Sequence, residues 1–319
     1  MRALRFHTFG PPSVLAIEEV PQPEPGPGEV LVRVKAAGLN PADLKNIGGH
    51  FHGTTLPRIP GRDCAGVVVA GVRDPGEEVW FSAPGFGITR DGVQAEYVAV
   101  PETALSRKPA SLTMEQAAAI GVPFITAWAA LIGAANLQID ETVLIVGAAG
   151  AVGQAAVQIA NWKGARVLGA VRGSGPVRGV AAVIDTTAGN LSERVLAITG
   201  GKGADAVFDT VGGPLFEPAL RSLRHRGRQI AISSTGDPRV TFNLVDFYHT
   251  ELHLIGLDSN ALTAREVGDI AEKLRPEFES GILTPPDIEP VPFEDAVEAY
   301  EKLAAGSGGK KYVLTLPEG

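Results

Sequence analysis

The sequence predicts an α/β protein in which a doubly wound parallel sheet accompanies a second, mostly β domain. Between about residues 141 and 257, short apolar strand candidates alternate with helical spacing, a pattern typical of parallel sheets covered by helices. Residues 1–110 are instead rich in Pro and Gly, with short β-branched runs between turn signals. The chain has 319 residues, enough for about two domains of roughly 100–200 residues each.

Each element is predicted from its own local pattern. In the amino-terminal region, strands are predicted at residues 30–34, 66–70, 78–81 and 97–100. Ala-rich helical spacing begins near Ser111, and six further strands are predicted at 142–146, 165–171, 181–184, 204–209, 229–232 and 252–257. In the carboxy-terminal part of the sequence we predict a helix at 264–279, a Pro-rich extended stretch to Pro292, a helix at 293–305 and a strand at 311–316.

Composition excludes several classes of function. The net charge of −8 and the pI of about 5.3 argue against nucleic-acid binding and against a polybasic membrane anchor. A single cysteine, Cys64, excludes an intramolecular disulfide and any multi-cysteine zinc or iron–sulfur site. The uncharged stretches 116–139 and 142–162 contain Gly, Asn and Gln, so buried helices are predicted rather than membrane spans. The amino terminus lacks the pattern of a secretory signal, and a cytoplasmic protein is expected.

A glycine-rich turn carries the strongest chemical signal. The strand at 142–146 runs into residues 147–153, which open a helix predicted at 154–163. Backbone N–H groups and the positive end of the helix then converge where a pyrophosphate can bind. Gly150 and Gly153 fit the last two glycines of G-x-G-x-x-G, while Ala148 stands where the first would be. We predict a dinucleotide site, with a tight structural turn as the alternative; the pyrophosphate would contact Ala149, Gly150, Ala151 and Val152.

The end of the second strand of this domain indicates which dinucleotide binds. An acidic residue at this place takes the ribose hydroxyls of NAD, but here the position holds Arg172, followed by Ser174 and Arg178. No carboxylate is present to repel a 2′-phosphate, and an arginine is well shaped to hold one. NADPH is therefore predicted over NADH, with a solvated surface arginine as the alternative.

Four segments in order resemble the zinc-free quinone oxidoreductase branch of the medium-chain dehydrogenase/reductase superfamily, which includes zeta-crystallin. They are residues 38–43 (GLNPAD), 56–66 (LPRIPGRDCAG), 147–153 (GAAGAVG) and 208–213 (FDTVGG). The resemblance implies a GroES-like, mostly β catalytic domain at 1–122, completed by 262–319. It also implies a Rossmann-type dinucleotide-binding domain at 123–261, and a homodimer formed near 252–257.

The resemblance further implies individual cofactor contacts. Asn40 would lie on the nicotinamide side and Thr126 in the following helix, while Val211 and Ser233 end the fourth and fifth strands of the sheet. Two alternatives stay open, because Asn40 could satisfy turn backbone before Pro41 and Thr126 could bond to its own helix. Structural hydrogen bonding is favoured over catalysis for Asp43 and Asp63.

The zinc-dependent relatives place a Cys where this chain has Asn40 and a His where it has Arg62, so no catalytic metal is expected. Without a metal Lewis acid, a quinone is the most suitable acceptor, because it spreads the developing charge over its own conjugated system. We predict an NADPH-dependent quinone oxidoreductase acting by direct hydride transfer. The alternatives are an enal or enone double-bond reductase, and an NADPH-binding protein with little turnover.

Two segments depart from the branch. Many relatives carry a substrate-facing tyrosine between Asn46 and Thr55, where this chain has His50, Phe51 and His52. Phe51 could stack on a substrate, and either histidine could donate a proton near neutral pH, with surface histidines as the alternative. Residues 172–183 are short where relatives have a full helix, which predicts a more open edge of the adenosine pocket.

Overall fold

The computed structural model describes residues 1–306 and 309–317. The chain divides into two compact units, one formed by Met1–Ile125 with Ser259–Gly319 and the other by Thr126–Asp258. These boundaries differ by three residues from the predicted ones at 122 and 262. The α/β class is confirmed, with a parallel sheet in one unit and a mixed β sheet in the other.

The first unit contains most of the β structure. Its strands are β1 (Arg2–Phe6), β2 (Leu15–Glu19), β3 (Glu29–Gly38), β4 (Asp63–Gly71), β5 (Glu78–Ser82), β6 (Tyr97–Pro101) and β7 (Ser106–Arg107). Its first helices are α1 (Pro41–Ile47), α2 (Met114–Ala119) and the start of α3 (Gly121–Trp128), which continues as a π-helix at Ala129–Ala134. The core packs around aromatic residues such as Phe6, Phe81 and Tyr300.

The second unit alternates strands and helices. Its elements are β8 (Thr142–Val146), α4 (Ala151–Trp162), β9 (Arg166–Val171), β10 (Ala182–Asp185), α5 (Leu191–Ile198), β11 (Ala204–Asp209), α6 (Phe216–Leu220), β12 (Leu223–Ala231), α7 (Leu244–His249) and β13 (His253–Gly256). The strands pair in parallel in the order β10-β9-β8-β11-β12-β13. Strand order reverses between β8 and β11, which is where ligands bind in sheets of this kind.

The end of the chain returns to the first unit with α8 (Ala264–Glu279), β14 (Ile288–Pro292), α9 (Ala296–Ala305) and β15 (Lys311–Thr315). The larger sheet of this unit runs β14-β15-β3-β4-β5-β7, and β6 also pairs with β3. The last strand of the chain therefore lies inside the sheet.

Three elements differ from the prediction. The amino-terminal region was expected to be all β, but α1 begins after Asn40, because Pro41 suits the first helical position and Asp43 bonds the Asn40 N–H. The Pro-rich stretch before Pro292 forms strand β14, which tolerates proline because it lies at the edge of the sheet. Strand β12 begins at Leu223, six residues before the predicted start at Gln229.

No helix within the described ranges is long and apolar enough to cross a bilayer.

Candidate active site

The glycine-rich turn connects β8 to α4 and is held against β9. The N–H groups of Gly147 and Ala148 both donate to the carbonyl oxygen of Ala170, at 2.9 and 3.1 Å. Gly150 stands at the start of α4 and has no side-chain oxygen to accept from the first turn of the helix. The leading N–H groups of a helix have no acceptor within the helix, so those of Ala151 and Val152 suit an anion.

Two glycines of this turn pack with almost no free space. A Cβ atom added at Gly153 would lie 2.2 Å from the carbonyl oxygen of Gly147, and one added at Gly147 would lie 2.3 Å from Oγ1 of Thr210. At Gly150 the nearest atom is the Gly147 oxygen at 3.4 Å, and no other lies within 4 Å. The turn is thus tightly packed beneath and open at Gly150, which fits the pyrophosphate of a dinucleotide.

The ends of β11 and β12 lie at the same edge of the sheet as the turn. Oδ1 of buried Asp209 accepts from the N–H groups of Val211 and Gly212, at 3.0 and 2.8 Å. Burial raises the pKa of the Asp209 carboxyl group, against the effect of these two bonds. A Cβ atom at Gly212 would lie 2.4 Å from the carbonyl oxygen of Ser233. The structure therefore brings Val211 and Ser233 together with Ala149, Gly150, Ala151 and Val152.

Thr210 also supports the turn, because its hydroxyl donates to the Val146 carbonyl oxygen at 2.7 Å. Sequence reasoning did not assign supporting roles to Asp209 and Thr210. The run Asp-Thr-Val-Gly-Gly at the end of a buried strand could have indicated the role of Asp209. An Asp side chain commonly accepts a hydrogen bond from the backbone N–H two residues further along the chain.

The loop between β9 and β10 contains no helix and carries the predicted phosphate-binding residues. Arg172, Ser174 and Arg178 are exposed. Within the described part of the chain, neither arginine forms an ion pair or a hydrogen bond to another side chain. Both guanidinium groups are therefore available to an external anion.

Two side chains that sequence reasoning missed hold this loop. Asp185 ends β10, and its Oδ1 accepts from the N–H groups of Thr187 and Gly173, at 2.8 and 2.9 Å. Bonds from the backbone and hydroxyl of Thr187, followed by the Gly173 bond, lower the pKa of Asp185. Asn161 of α4 donates from Nδ2 to the Gly179 carbonyl oxygen at 2.7 Å. The loop is thus fixed near both ends, although it contains no helix of its own.

Asn40 belongs to a buried polar cluster in the first unit. Its Nδ2 donates to Oδ2 of Asp63 at 3.0 Å, and its Oδ1 accepts from Nζ of Lys311. Lys311 Nζ also donates to Asp63 Oδ2 at 3.2 Å, and Asp63 Oδ1 accepts from the Val122 N–H at 2.8 Å. These bonds match the structural role favoured for Asp63. Sequence reasoning missed Lys311.

Asp43 lies against this cluster and is buried. Its Oδ2 accepts from the Asn40 N–H at 2.8 Å. Burial raises its pKa to about 7; the Asn40 bond lowers it, Asp63 raises it, and Lys311 and Arg62 lower it. The side chain is therefore substantially protonated near neutral pH.

The raised pKa of Asp43 predicts a loss of stability with rising pH. The folded state holds the proton that the unfolded chain releases above its ordinary pKa of 3.8. The free energy of unfolding should fall between about pH 4 and pH 7, by at most about 1.4 kcal/mol per pH unit. Asp43→Asn removes this titration and should flatten the profile, as measured by urea unfolding at several pH values. Equal slopes in both proteins would contradict the assignment.

The remaining predicted site residues, in the loop after α1 and in α3, differ in their exposure. His50 is exposed, with Nδ1 3.2 Å from the Lys45 carbonyl oxygen, while His52 is exposed and Phe51 is half-buried. Thr126 is buried in α3. The catalytic roles of Asn40, His50 and Phe51 and the cofactor contact of Thr126 stay predictions.

The residue at the family's histidine position forms hydrogen bonds rather than offering a metal ligand. Arg62 is buried and donates to Oγ of Ser259 at 2.9 Å and to Oδ1 of Asn260. Across residues 1–306 and 309–317, no group of three His, Cys, Asp or Glu side chains is arranged to hold a metal ion.

Comparison with known proteins agrees with both units. Residues 26–110 match the alcohol dehydrogenase GroES-like domain family, and residues 151–273 match the zinc-binding dehydrogenase family. A zinc-type alcohol dehydrogenase-like protein of Schizosaccharomyces pombe is 35% identical over 99% of this chain and 97% of its own length. The human quinone oxidoreductase is 32% identical over 99% of this chain and 98% of its own length.

A solved structure supports the same fold. A mycobacterial protein in complex with NADPH superposes with a TM-score of 0.86 at 27% identity, covering 99% of each chain. The resemblance inferred from the four sequence segments is confirmed by these matches. The chain belongs to the medium-chain dehydrogenase/reductase superfamily of nicotinamide-dependent oxidoreductases, with quinone oxidoreductases among its full-length relatives.

Proposed function

We propose that the protein is an NADPH-dependent quinone oxidoreductase that works by direct hydride transfer without a metal ion. One observation carries the cofactor assignment: the glycine turn open at Gly150 and the loop of Arg172 and Arg178 follow two neighbouring parallel strands, β8 and β9. Neither arginine has a side-chain partner among the residues that the structure describes. The full-length identity to the human quinone oxidoreductase supports the acceptor.

Each part of NADPH is assigned to its own set of residues, most of them in the second unit. Ala149, Gly150, Ala151 and Val152 would line the pyrophosphate, with the N–H groups of Ala151 and Val152 at the start of α4 donating to it. Arg172, Ser174 and Arg178 would hold the 2′-phosphate through charge-assisted bonds. Thr126, Val211 and Ser233 would contact the rest of the cofactor, and Asn40 its nicotinamide side.

The side chains at the family's metal-ligand positions indicate the kind of acceptor. Bound NADPH supplies a hydride. Asn40 and Arg62 stand at the family's metal-ligand positions, and an arginine guanidinium has no lone pair to offer a cation. An acceptor that spreads negative charge over its own conjugated system is therefore favoured, with Phe51 stacking against it and His50 as a candidate proton donor.

NADPH consumption by the purified, metal-stripped protein tests this proposal. An ortho-quinone and a 2-alkenal are assayed in parallel, with NADH in place of NADPH as the control. Turnover of the quinone with a preference for NADPH would support the proposal. Turnover of the alkenal alone would make the protein a double-bond reductase, and tight NADPH binding without turnover of either would favour the binding role.

Arg172→Ala is expected to weaken NADPH binding about tenfold or more, because a charge-assisted bond to the 2′-phosphate contributes about 1.5–3 kcal/mol. NADH affinity should change less than twofold. Fluorescence titration with both cofactors measures the difference. Arg166→Ala is the matched control, since Arg166 is also exposed but starts the same strand, β9, at its other end. Equal losses for NADPH and NADH would refute the phosphate contact.

We also propose a homodimer formed through β13 in the cytoplasm. This strand is last in the sheet order, and its outer edge has no partner strand within the described part of the chain. Leu254 on it is 40% exposed. The unpaired N–H and C=O groups of an edge strand form a template on which another chain can pair. Light scattering should give twice the 33.2 kDa chain mass, and a mass near that of a single chain would count against the dimer.

A further inference from the structure

Lys311 is a buried lysine in the last strand of the chain. It is only 5% exposed, and lysine is almost never buried unless its charge is paired. Its ammonium group donates to Oδ2 of Asp63 and to Oδ1 of Asn40. The neighbouring Lys310 is exposed and pairs at the surface with Glu289 at 3.3 Å. Two adjacent lysines thus have entirely different surroundings.

The sheet register explains how these three residues meet. Strand β15 pairs with β3 at Val313 and Gly38, and β3 pairs with β4 at Gly38 and Asp63. Asn40 follows the end of β3, so all three side chains lie at one end of three neighbouring strands. A Cβ atom at Gly38 would lie 3.3 Å from Cε of Lys311 and 3.2 Å from Cβ of Asp63. The absence of a side chain at Gly38 lets them come together.

The hydrogen-bonding chemistry of the cluster admits one orientation of the Asn40 amide. An ammonium group only donates, and a carboxylate only accepts. Turning the amide by 180° would place its NH2 against the ammonium of Lys311 and its oxygen against the carboxylate of Asp63. Both contacts would then be repulsive, so the observed orientation is strongly preferred.

The preference for one orientation of the Asn40 amide depends on the cation of Lys311. A carboxyl group buried with no cation bonded to it favours its neutral form, which can donate as well as accept. Beside a neutral carboxyl group, either orientation of the amide can be satisfied. The ionisable groups that act on one another here are Asp43 on α1, Arg62 just before β4, Asp63 at the start of β4, and Lys311 on β15.

We propose that Lys311 is a positioning residue that fixes the side-chain amide of Asn40 in a single orientation. This rests on the proposed function, in which Asn40 contacts the nicotinamide side of the cofactor. The amide has two N–H donors and two lone pairs on its oxygen. The bond to Asp63 uses one N–H, and the bond from Lys311 uses one lone pair. One N–H and one lone pair are left for a ligand. Lys311 thereby determines on which side of the amide the remaining N–H lies and on which side the remaining lone pair lies.

The first experiment measures the amide directly, independent of turnover. Protein labelled with ¹⁵N at its seven asparagines is compared with Lys311→Met, and the Asn40 signals are identified by their loss in Asn40→Ala. The wild type should show two resolved, slowly exchanging side-chain protons. In Lys311→Met they should shift toward free-amide positions and exchange at least tenfold faster. Unchanged Asn40 signals would overturn the proposal.

The second experiment is a kinetic cycle with the acceptor that the wild type reduces. Lys311→Met should lower kcat at least tenfold, with NADPH affinity changed less than threefold, and Lys310→Met should change kcat less than twofold. In an Asn40→Ala background, Lys311→Met should cost less than twofold more. Losses that multiply would mean that Lys311 acts independently of Asn40, which would overturn the proposal.

A second variant and the activity of the wild type separate a failure to fold, a failure of the proposed function and a failure of the role of Lys311. Should Lys311→Met fail to fold, Asp63→Asn/Lys311→Met removes both charges while keeping an acceptor for the Asn40 NH2, and its Asn40 signals should show the same loss of protection. A wild-type protein that reduces neither the quinone nor the alkenal counts against the proposed function, whereas the spectra still decide the role of Lys311.

Discussion

Gly153→Ala is expected to weaken NADPH binding at least a hundredfold and to lower the stability of the protein. The new methyl group would lie 2.2 Å from the Gly147 carbonyl oxygen and 2.8 Å from Cα of Ala148. Both atoms belong to backbone, so α4 and the turn must move apart. Forced overpacking costs about 1–3 kcal/mol, and the displaced N–H groups would no longer converge on one anion. Cofactor titration and thermal unfolding measure the two effects.

Gly150→Ala is the matched control within the same turn. Its Cβ would meet only the Gly147 oxygen, at 3.4 Å, and its φ of −75° suits an alanine. The free energy of unfolding should therefore change by less than about 0.5 kcal/mol. Normal NADPH binding by Gly153→Ala would show that the backbone contact does not shape the cradle.

Asp63→Asn is expected to lower the free energy of unfolding by about 3–5 kcal/mol, because it leaves the ammonium of Lys311 buried without its counter-ion. Asp63 is completely buried, so water cannot replace the lost charge. Chemical unfolding in urea measures the loss. Adding Lys311→Met should recover most of it, since removing both charges ends the imbalance.

The surface pair of Lys310 and Glu289 serves as the comparison. Glu289→Gln removes a similar charge from an exposed ion pair and should change the free energy of unfolding by less than about 1 kcal/mol. A loss in Asp63→Asn as small as this one would mean that the buried pair contributes little to stability.

Sequence patterns predicted the elements whose signals are local. The helix at Ala264–Glu279 has the predicted bounds, and the structure shows a capping box of Thr263 and Glu266 at its start. The strands around the phosphate turn are buried on both faces and read as continuous apolar runs. The turn itself was found from glycines in a strand-to-helix context.

Local sequence patterns could not predict contacts between residues that are distant in sequence. Lys311 binds Asn40 across 271 positions, and only the register of β15 on β3 brings them together. Nothing in the sequence around Lys311 distinguishes it from Lys310, since the two are adjacent where the strand begins. The support that Asp185 gives to the loop likewise depends on the pairing of β10 with β9.

The place of β15 inside its sheet has a consequence for biosynthesis. Ribosomes extend chains at roughly 5–20 residues per second, so the 271 positions from Asn40 to Lys311 take roughly 14–54 s to translate at that pace. Until residue 311 is added, the nascent chain holds Asn40 and Asp63 without their cation, and by then every strand of the continuous unit Thr126–Asp258 has been made. Translation products that stop before residue 311 therefore lack both the strand and the charge that complete the cluster, and we expect quality control to remove them as misfolded chains.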